Sequence, residues 1–536
     1  LFCKVNAVTI HQYYNHVLRC MSDAAAECIP VNSSRRPRVA GWNGYVRPYR
    51  ENAMFWHAIW KSSGSPRHGV LADIRRSTRA RYHNAFRRVK RLSHDIVAVK
   101  FAESYYGTDD NKFWSNVKRM KGGAPPIPSR MDDVTGEDDI LGVFETKYKA
   151  LYNSVPFVQS DMDTLLLETA NEVASHDEGC AQCEHSITPA DVASAVKRLK
   201  PNRIDGMDQC LSNHLLHGSE FLYECLARLF NSLVLHGVAP DELLMSTLVP
   251  IPKDRRKSLS SSSNYRAIAL SSIMGKVLDH VLLAKCDDTF STSPWQFGFK
   301  KKLSTNHCTF VVKETIQHFL NNGSNVYLCL LDATAAFDRV EYVKLFRLLK
   351  KRNLCPIICR FLLVLYTSQS IRIRWGKSCS PAFMISNGVK QGGVMSPILF
   401  TVYIDELLTQ LSRGGDGCYV GRRFHGAFGY ADDVSILSPT VSGLERMLSI
   451  CDAFAREYRV KFNASKSKLV KFGESASAAS VTLSFMGGTI STMNSSIYLG
   501  NLIGVVSHLD LVQRTVRDFL IRVNMVRLNF NLIPPD

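Results

Sequence analysis

The sequence predicts an α+β protein with more than one domain, and three observations carry that expectation. Residues 326–331, Val-Tyr-Leu-Cys-Leu-Leu, form a continuous apolar run of strand length that ends at Asp332, the pattern of a strand buried on both faces. Residues 428–437 set two short β-prone stretches around the polar pair Asp432-Asp433, as a hairpin with a tight turn does. Residues 138–151, 189–199 and 509–528 instead repeat apolar side chains every three or four positions, which marks amphipathic helices. A chain of 536 residues should hold about two to four domains, since single cores usually span roughly 100–200 residues.

Composition narrows the class. Hydrophobic residues make up 45% and charged residues 21%, which excludes a mainly disordered, collagen-like or coiled-coil protein. No apolar run reaches the roughly 18 residues that a membrane helix needs, so no membrane partner is expected. Lys and Arg number 66 against 48 Asp and Glu, a formal charge of +18, and such an excess favours a polyanion as partner. The excess is local: residues 35–91 hold 15 basic residues and two acids, Glu51 and Asp73. Within it, Arg75, Arg76, Arg79, Arg87 and Arg88 lie on a predicted helix over 70–90 and, with Arg91 just past its end, are candidate phosphate contacts. A solvated basic helix is the plainer alternative.

The 15 cysteines are scattered, and no signal peptide opens the chain, so reduced thiols are expected rather than a secreted disulfide framework. One close pair, Cys180 and Cys183, precedes His185, but a zinc site there lacks a second pair of ligands. Residues 122–128, Gly-Gly-Ala-Pro-Pro-Ile-Pro, read as a linker. The serines at 260–263 read as a mobile loop. Both ends look cut from something longer.

The chemistry concentrates in the centre. The first charged residue after a buried strand emerges at the edge of the sheet, so Asp332 is aimed at a cleft. Two adjacent acids at an otherwise apolar hairpin tip are costly unless a cation neutralises them. Asp332, Asp432 and Asp433, converging from two strands, suit oxygen-coordinated Mg²⁺. A pair of such ions about 3.5–4 Å apart activates an attacking hydroxyl and stabilises a leaving oxygen in phosphoryl displacement. A common turn is the alternative for the acidic pair alone. Ser396, followed by Pro397, suits a helix N-cap.

Six blocks occur in order: Asn264-Tyr265-Arg266-Ala267-Ile268; Asp332-x-x-x-Ala336-Phe337-Asp338; Gln391-Gly392-Gly393-x-x-Ser396-Pro397; Tyr430-Ala431-Asp432-Asp433; Lys466-Ser467-Lys468; and Tyr498-Leu499-Gly500. This series resembles that of reverse transcriptases, most of all those of non-LTR (LINE-type) retrotransposons, across residues 200–528. The resemblance implies a right-hand polymerase with an antiparallel palm sheet, helical and strand-built fingers and a partial thumb. The expected divisions are a basic helical region over 1–130, a helical extension of the fingers over 131–245, fingers and palm over 246–490, and primer grip with the start of a thumb over 491–536.

By the same resemblance Asp332, Asp432 and Asp433 are catalytic and hold two Mg²⁺ ions, with Mn²⁺ a substitute. Phe337 lies beneath the incoming sugar and rejects a 2′-hydroxyl. Gln391 and Gly392 grip template and nucleotide, Arg266 and Lys253 clamp the triphosphate, and Lys466 or Lys468 protonates pyrophosphate, the spacing leaving open which. Tyr498, Leu499 and Gly500 form the primer grip, and residues around Gly206 form a block ahead of the fingers. The implied partners are an RNA template, a DNA primer or target, and dNTPs; the implied setting is target-primed reverse transcription in the nucleus, with a cytoplasmic ribonucleoprotein. An endonuclease region, most of the thumb and any C-terminal zinc knuckle are expected to be missing. The rival readings are a catalytically inactive RNA-binding remnant and an RNA-dependent RNA polymerase.

Overall fold

The computed structural model describes residues 2–28, 42–106, 128–175, 186–204, 211–255, 257–473, 481–505 and 508–530. The expected linker up to residue 127, Cys180, Cys183, His185 and Gly206 lie outside the described residues. The chain divides into two compact units: one of residues 1–28 with 127–511, the other of 29–126 with 512–536.

The first unit is built on a six-stranded sheet. Its centre is strand Val326–Leu331, every residue of which is buried. Alternate side chains of a strand point to opposite faces. Accordingly Tyr327, Cys329 and Leu331 enter one core, with helices Ser396–Arg413 and Val441–Glu457, while Val326, Leu328 and Leu330 enter another, with helix Thr305–Asn321. Cover on both faces explains why the run is apolar throughout. Strands Asp433–Ser438 and Lys468–Phe472 flank it, both antiparallel. Ala427–Tyr430 extends one edge of the sheet and Gly488–Met493 with Thr482–Phe485 the other; the pairing of Lys468–Phe472 with Gly488–Met493 is parallel.

A second sheet pairs Met245–Pro252 with Tyr265–Leu270 antiparallel and with Ser370–Trp375 parallel. Its buried face packs on helix Glu137–Leu151 through an aromatic cluster. The Phe144 ring stands 5.3 Å from that of Tyr265 and 4.9 Å from that of Trp375. The expected helices at 138–151, 189–199 and 509–528 are present as Glu137–Leu151, Pro189–Val196 and His508–Phe530.

Three expectations need revision. The serine segment is held rather than loose: the amide of Asp132 donates to the Ser260 carbonyl at 2.7 Å, and that of Ser262 to Asp132 Oδ1 at 3.0 Å. Ser396 is the first residue of its helix, and Met395 stands at the N-cap without a side-chain cap. The two residues ahead of the helix are held from elsewhere, because the Asp279 carboxylate accepts the amides of Met395 and Val394. Helix Phe2–Cys28 groups with the sheets rather than with the basic stretch, because Ile10, Tyr14, Val17 and Met21 on its inner face join the large core.

In the second unit, helices Arg47–Ser62 and Val70–Arg91 pack together, with Trp42 edge-on to Tyr82 and Phe86.

Tyr14 is fully buried, so Tyr14→Ala should cost about 3–5 kcal/mol in denaturant unfolding, the usual range for emptying a core aromatic site. A loss under about 1 kcal/mol would show that the helix is not part of this core.

Candidate active site

The site is set by backbone pairing. Leu331 pairs with Val434 across the antiparallel ladder, so Asp332 and Asp433, one step further along each strand, come together at the same end of the sheet. Tyr430 pairs with Asp433, leaving Ala431 and Asp432 as a two-residue turn. Ala431 has φ of 57°, the left-handed conformation that such turns demand. Asp332 is bracketed by the segment that follows helix Val441–Glu457. Its amide donates to Ser467 Oγ at 3.2 Å, its carbonyl accepts from the Asn463 amide at 2.9 Å, and the Thr334 amide donates to the Lys461 carbonyl at 2.8 Å.

The three carboxylates feel one another. Asp433 opens to solvent, yet the cleft walls desolvate it, and with the charges of Asp432 and Asp332 its carboxyl is pushed up to about 6. Burial first, and then Asp332, also raises Asp432. A cluster of repelling, partly desolvated carboxylates is stabilised by a cation. The donor set, all oxygen, fits a hard divalent ion in kind. Among the described residues, however, no group of three or more His, Cys, Asp or Glu side chains is already gathered into a ligand set. Lys466 Nζ stands 3.9 Å from Asp332 Oδ2 with its side chain 64% exposed. Lys468 instead lies in the ladder opposite Leu330 and is half-buried.

Phe337, five residues after Asp332, begins a short 3₁₀ turn, Phe337–Arg339. Its ring stacks on Phe400 at 4.4 Å and meets Phe299 edge-on at 6.4 Å. It is only partly buried, so one side packs on the core while the rest stays accessible. Asp338, next in sequence, is buried, and its carboxyl is pushed up to about 6 by that burial, against hydrogen bonds from Tyr152 and Gln391 and the charge of Lys253. Gln391 Nε2 donates to Asp338 Oδ2 at 3.4 Å, and the Gln391 carbonyl accepts from the Ala269 amide at 2.7 Å. Gly392 has φ of 110°, and a Cβ there would stand 2.8 Å from the Ala269 carbonyl oxygen. The glycine is therefore required by both conformation and space. On the same strand as Ala269, Arg266 is exposed opposite Ile251. Lys253 is exposed too, its Nζ donating to the Ser263 carbonyl at 3.2 Å.

The Tyr498-Leu499-Gly500 segment closes the hairpin of strands Ser495–Tyr498 and Asn501–Gly504. Tyr498 is 4% exposed and its hydroxyl donates to Ser435 Oγ at 3.3 Å. It anchors the hairpin to the carboxylate strand and leaves Leu499 and Gly500 as the two turn residues at its tip.

In the second unit Arg79, Arg87, Arg88 and Arg91 are exposed on helix Val70–Arg91. Arg76 is exposed but paired with Asp73 at 2.5 Å. Arg75 is committed locally, its guanidinium 3.9 Å over the Trp60 ring and its Nε donating to His57 Nδ1 at 3.1 Å.

Residue-by-residue reading of the sequence missed Gln296. It is fully buried, and its Oε1 accepts from the amides of Ala431 at 3.0 Å and Gly298 at 2.8 Å. The only signal was a Gln-Phe-Gly run between aromatic residues. Asp279 was missed as well, being one acid in an ordinary amphipathic helix.

Asp338 gives a pH test. Its folded value, about 6, lies above the ordinary 3.8, so the stabilisation it provides is full below 3.8 and is lost as pH rises through about 6. Asp338→Asn cannot ionise, and its melting temperature relative to the wild type should therefore climb across that window. A difference independent of pH would refute the burial of an ionisable group here.

Comparison with known proteins agrees with this geometry. The family described as reverse transcriptase (RNA-dependent DNA polymerase) matches residues 251–500, a span that contains every strand of the six-stranded sheet and all three carboxylates. The chain is 26% identical over 234 residues to a Retrovirus-related Pol polyprotein from type-1 retrotransposable element R2 of Nasonia vitripennis, covering 44% of this chain and 22% of that one. It is 25% identical over 374 residues to an RNA-directed DNA polymerase from mobile element jockey of Drosophila funebris, covering 67% and 39%. The chain thus spans well under half the length of these relatives. A solved telomerase chain from Candida tropicalis overlaps 50% of this chain and 45% of its own at 11% identity and a TM-score of 0.35, too slight a likeness to argue from. The ordered motifs, the strand pairing that brings the acids together and the family match agree: residues 251–500 carry a reverse transcriptase domain, similar to those of the retrotransposable elements R2 and jockey.

Proposed function

We propose that this chain extends the 3′-hydroxyl of a DNA primer with deoxynucleotides, copying chiefly an RNA template. The observation that carries the reading is the meeting of Asp332 with the Asp432-Asp433 turn on adjacent strands, within the segment that matches the reverse transcriptase family. In the reaction the primer oxygen attacks the α-phosphate, the bond to the β-phosphate breaks, and pyrophosphate leaves. Held by Asp332, Asp432 and Asp433, two Mg²⁺ ions, or Mn²⁺, would make the hydroxyl a better nucleophile and neutralise charge on the leaving group.

The remaining work falls to the protein's own groups. Arg266 and Lys253, both exposed, are the cations for the triphosphate, guanidinium being suited to paired phosphate oxygens. Lys466 rather than Lys468 is the better-placed donor of a proton to pyrophosphate, because its ammonium is exposed 3.9 Å from Asp332 while Lys468 is half-buried opposite Leu330. Phe337, backed by Phe400, is too firmly stacked to yield to a 2′-hydroxyl, which supports selection of dNTPs. Positioning and electrostatics would supply most of the rate. The exposed arginines of helix Val70–Arg91 suit the backbone of a nucleic acid. Target-primed synthesis in the nucleus, with a cytoplasmic ribonucleoprotein, is the setting we propose from the non-LTR likeness.

The test is extension of a DNA primer on an RNA template with and without Mg²⁺. Asp432→Asn should lower extension by at least about 100-fold and leave RNA affinity within about twofold, since phosphate contacts elsewhere dominate it. Unchanged extension would end the carboxylate assignment. Phe337→Ala should raise the incorporation of ribonucleotides relative to deoxynucleotides; an unaltered ratio would remove Phe337 from sugar selection.

A further inference from the structure

We propose that Gln296 is the positioning residue of the carboxylate turn: its buried carboxamide holds the Ala431 peptide in the left-handed conformation that sets the direction of Asp432 and Asp433. The proposal rests on the polymerase reading for its kinetic consequence but not for its structural one.

Three observations carry it. A left-handed alanine is strained, and in a two-residue turn the amide of the first turn residue has no partner inside the hairpin. Ala431 is 6% exposed, so water does not serve its amide; Gln296 Oε1 does, at 3.0 Å. Next, the approach is built for closeness. A Cβ on Gly298 would lie 2.4 Å from the Ala431 nitrogen, and one on Gly429 would lie 2.9 Å from Gln296 Nε2. The strand edge is tied on both sides of this contact, with the Gly429 amide donating to the Trp295 carbonyl at 2.9 Å and the Phe297 amide to the Gly429 carbonyl at 2.8 Å.

Finally, the segment carrying Gln296 is itself anchored in the core. Asp405, 2% exposed, accepts from the Ser293 amide at 3.0 Å, from Ser293 Oγ at 2.6 Å and from Arg352 Nη2 at 3.0 Å. Lys300 Nζ donates to the Thr292 carbonyl at 3.0 Å. A rigid core helix thus reaches the turn through Ser293 and Gln296. Removing the acceptor leaves two buried amides unpaired, those of Ala431 and Gly298, and frees the turn to relax.

The experiment measures amide hydrogen exchange at Ala431, by NMR or in a peptide covering the turn, alongside steady-state extension. Gln296→Leu should speed exchange there by about tenfold or more and lower kcat by about 10–100-fold, the usual consequence of misplacing reacting groups by an ångström, while the KM for primer–template stays within about twofold. Gln296→Glu keeps the acceptor in place and should retain slow exchange. Unchanged exchange and kcat in a folded Gln296→Leu protein would overturn the proposal. So would exchange in folded Gln296→Glu as fast as in the leucine variant, a result that also decides the matter if the leucine variant fails to fold. Absence of extension by the wild type would instead sink the polymerase reading, leaving the exchange result to judge Gln296.

Discussion

The antiparallel ladder between Val326–Leu331 and Asp433–Ser438 is the constraint on which the site depends. Its register, with Leu331 opposite Val434, brings acids more than a hundred positions apart to the same end of the sheet. A slip of one residue would turn every side chain of a strand to the other face. That slip is resisted because Val326–Leu331 is buried on both sides, and each alternate residue belongs to a different core. Close packing of those two cores thus holds the register, and the register sets the chemistry.

Around that ladder, buried polar groups act mainly as brackets for loops. Asp279 and Lys390 illustrate this. Lys390 Nζ donates to Ser246 Oγ at 2.7 Å, and burial pulls its ammonium down to about 8 against the opposing charge of Asp279. Asp279, pushed up to about 6 by burial, takes the amides of Val394 and Met395. The two hold opposite ends of the Gln391-Gly392-Gly393 turn. Asp405 does the same for the segment of Gln296. Charge buried without partners would be costly, and here each buried charge faces an opposite charge or backbone amides. Rigid loops are what a site that works by positioning requires.

The legible parts of the molecule were those with local signatures. A strand buried on two faces must be apolar throughout, so Val326–Leu331 and the acid that ends it could be read directly. The hairpin with Asp432 and Asp433 at its turn was legible because β-prone stretches around a polar pair have few other uses. Helices with one wet face announced themselves by period. Residues whose role depends on a distant partner were not readable. Ser396 has the chemistry of an N-cap, but it is the first residue of its helix, and the amides just ahead of it go to an aspartate more than a hundred residues away. Tyr498 belongs to the expected primer-grip motif, yet its ring turns inward to Ser435. Arg75 sits in a basic run but is spent on Trp60 and His57. Nothing in the order of residues could show these pairings, because each is made by packing.

Sequence alone thus determined the element types, the order of the motifs and the kind of chemistry the acids imply, since periodicity and side-chain chemistry are local properties. Tertiary structure decided which lysine stands by Asp332, which residue of the hairpin tip faces outward, and which buried amide steadies the carboxylate turn. Those outcomes depend on contacts between segments far apart in the chain, where register, burial and the low dielectric of the interior select among side chains that look equivalent when written in a row.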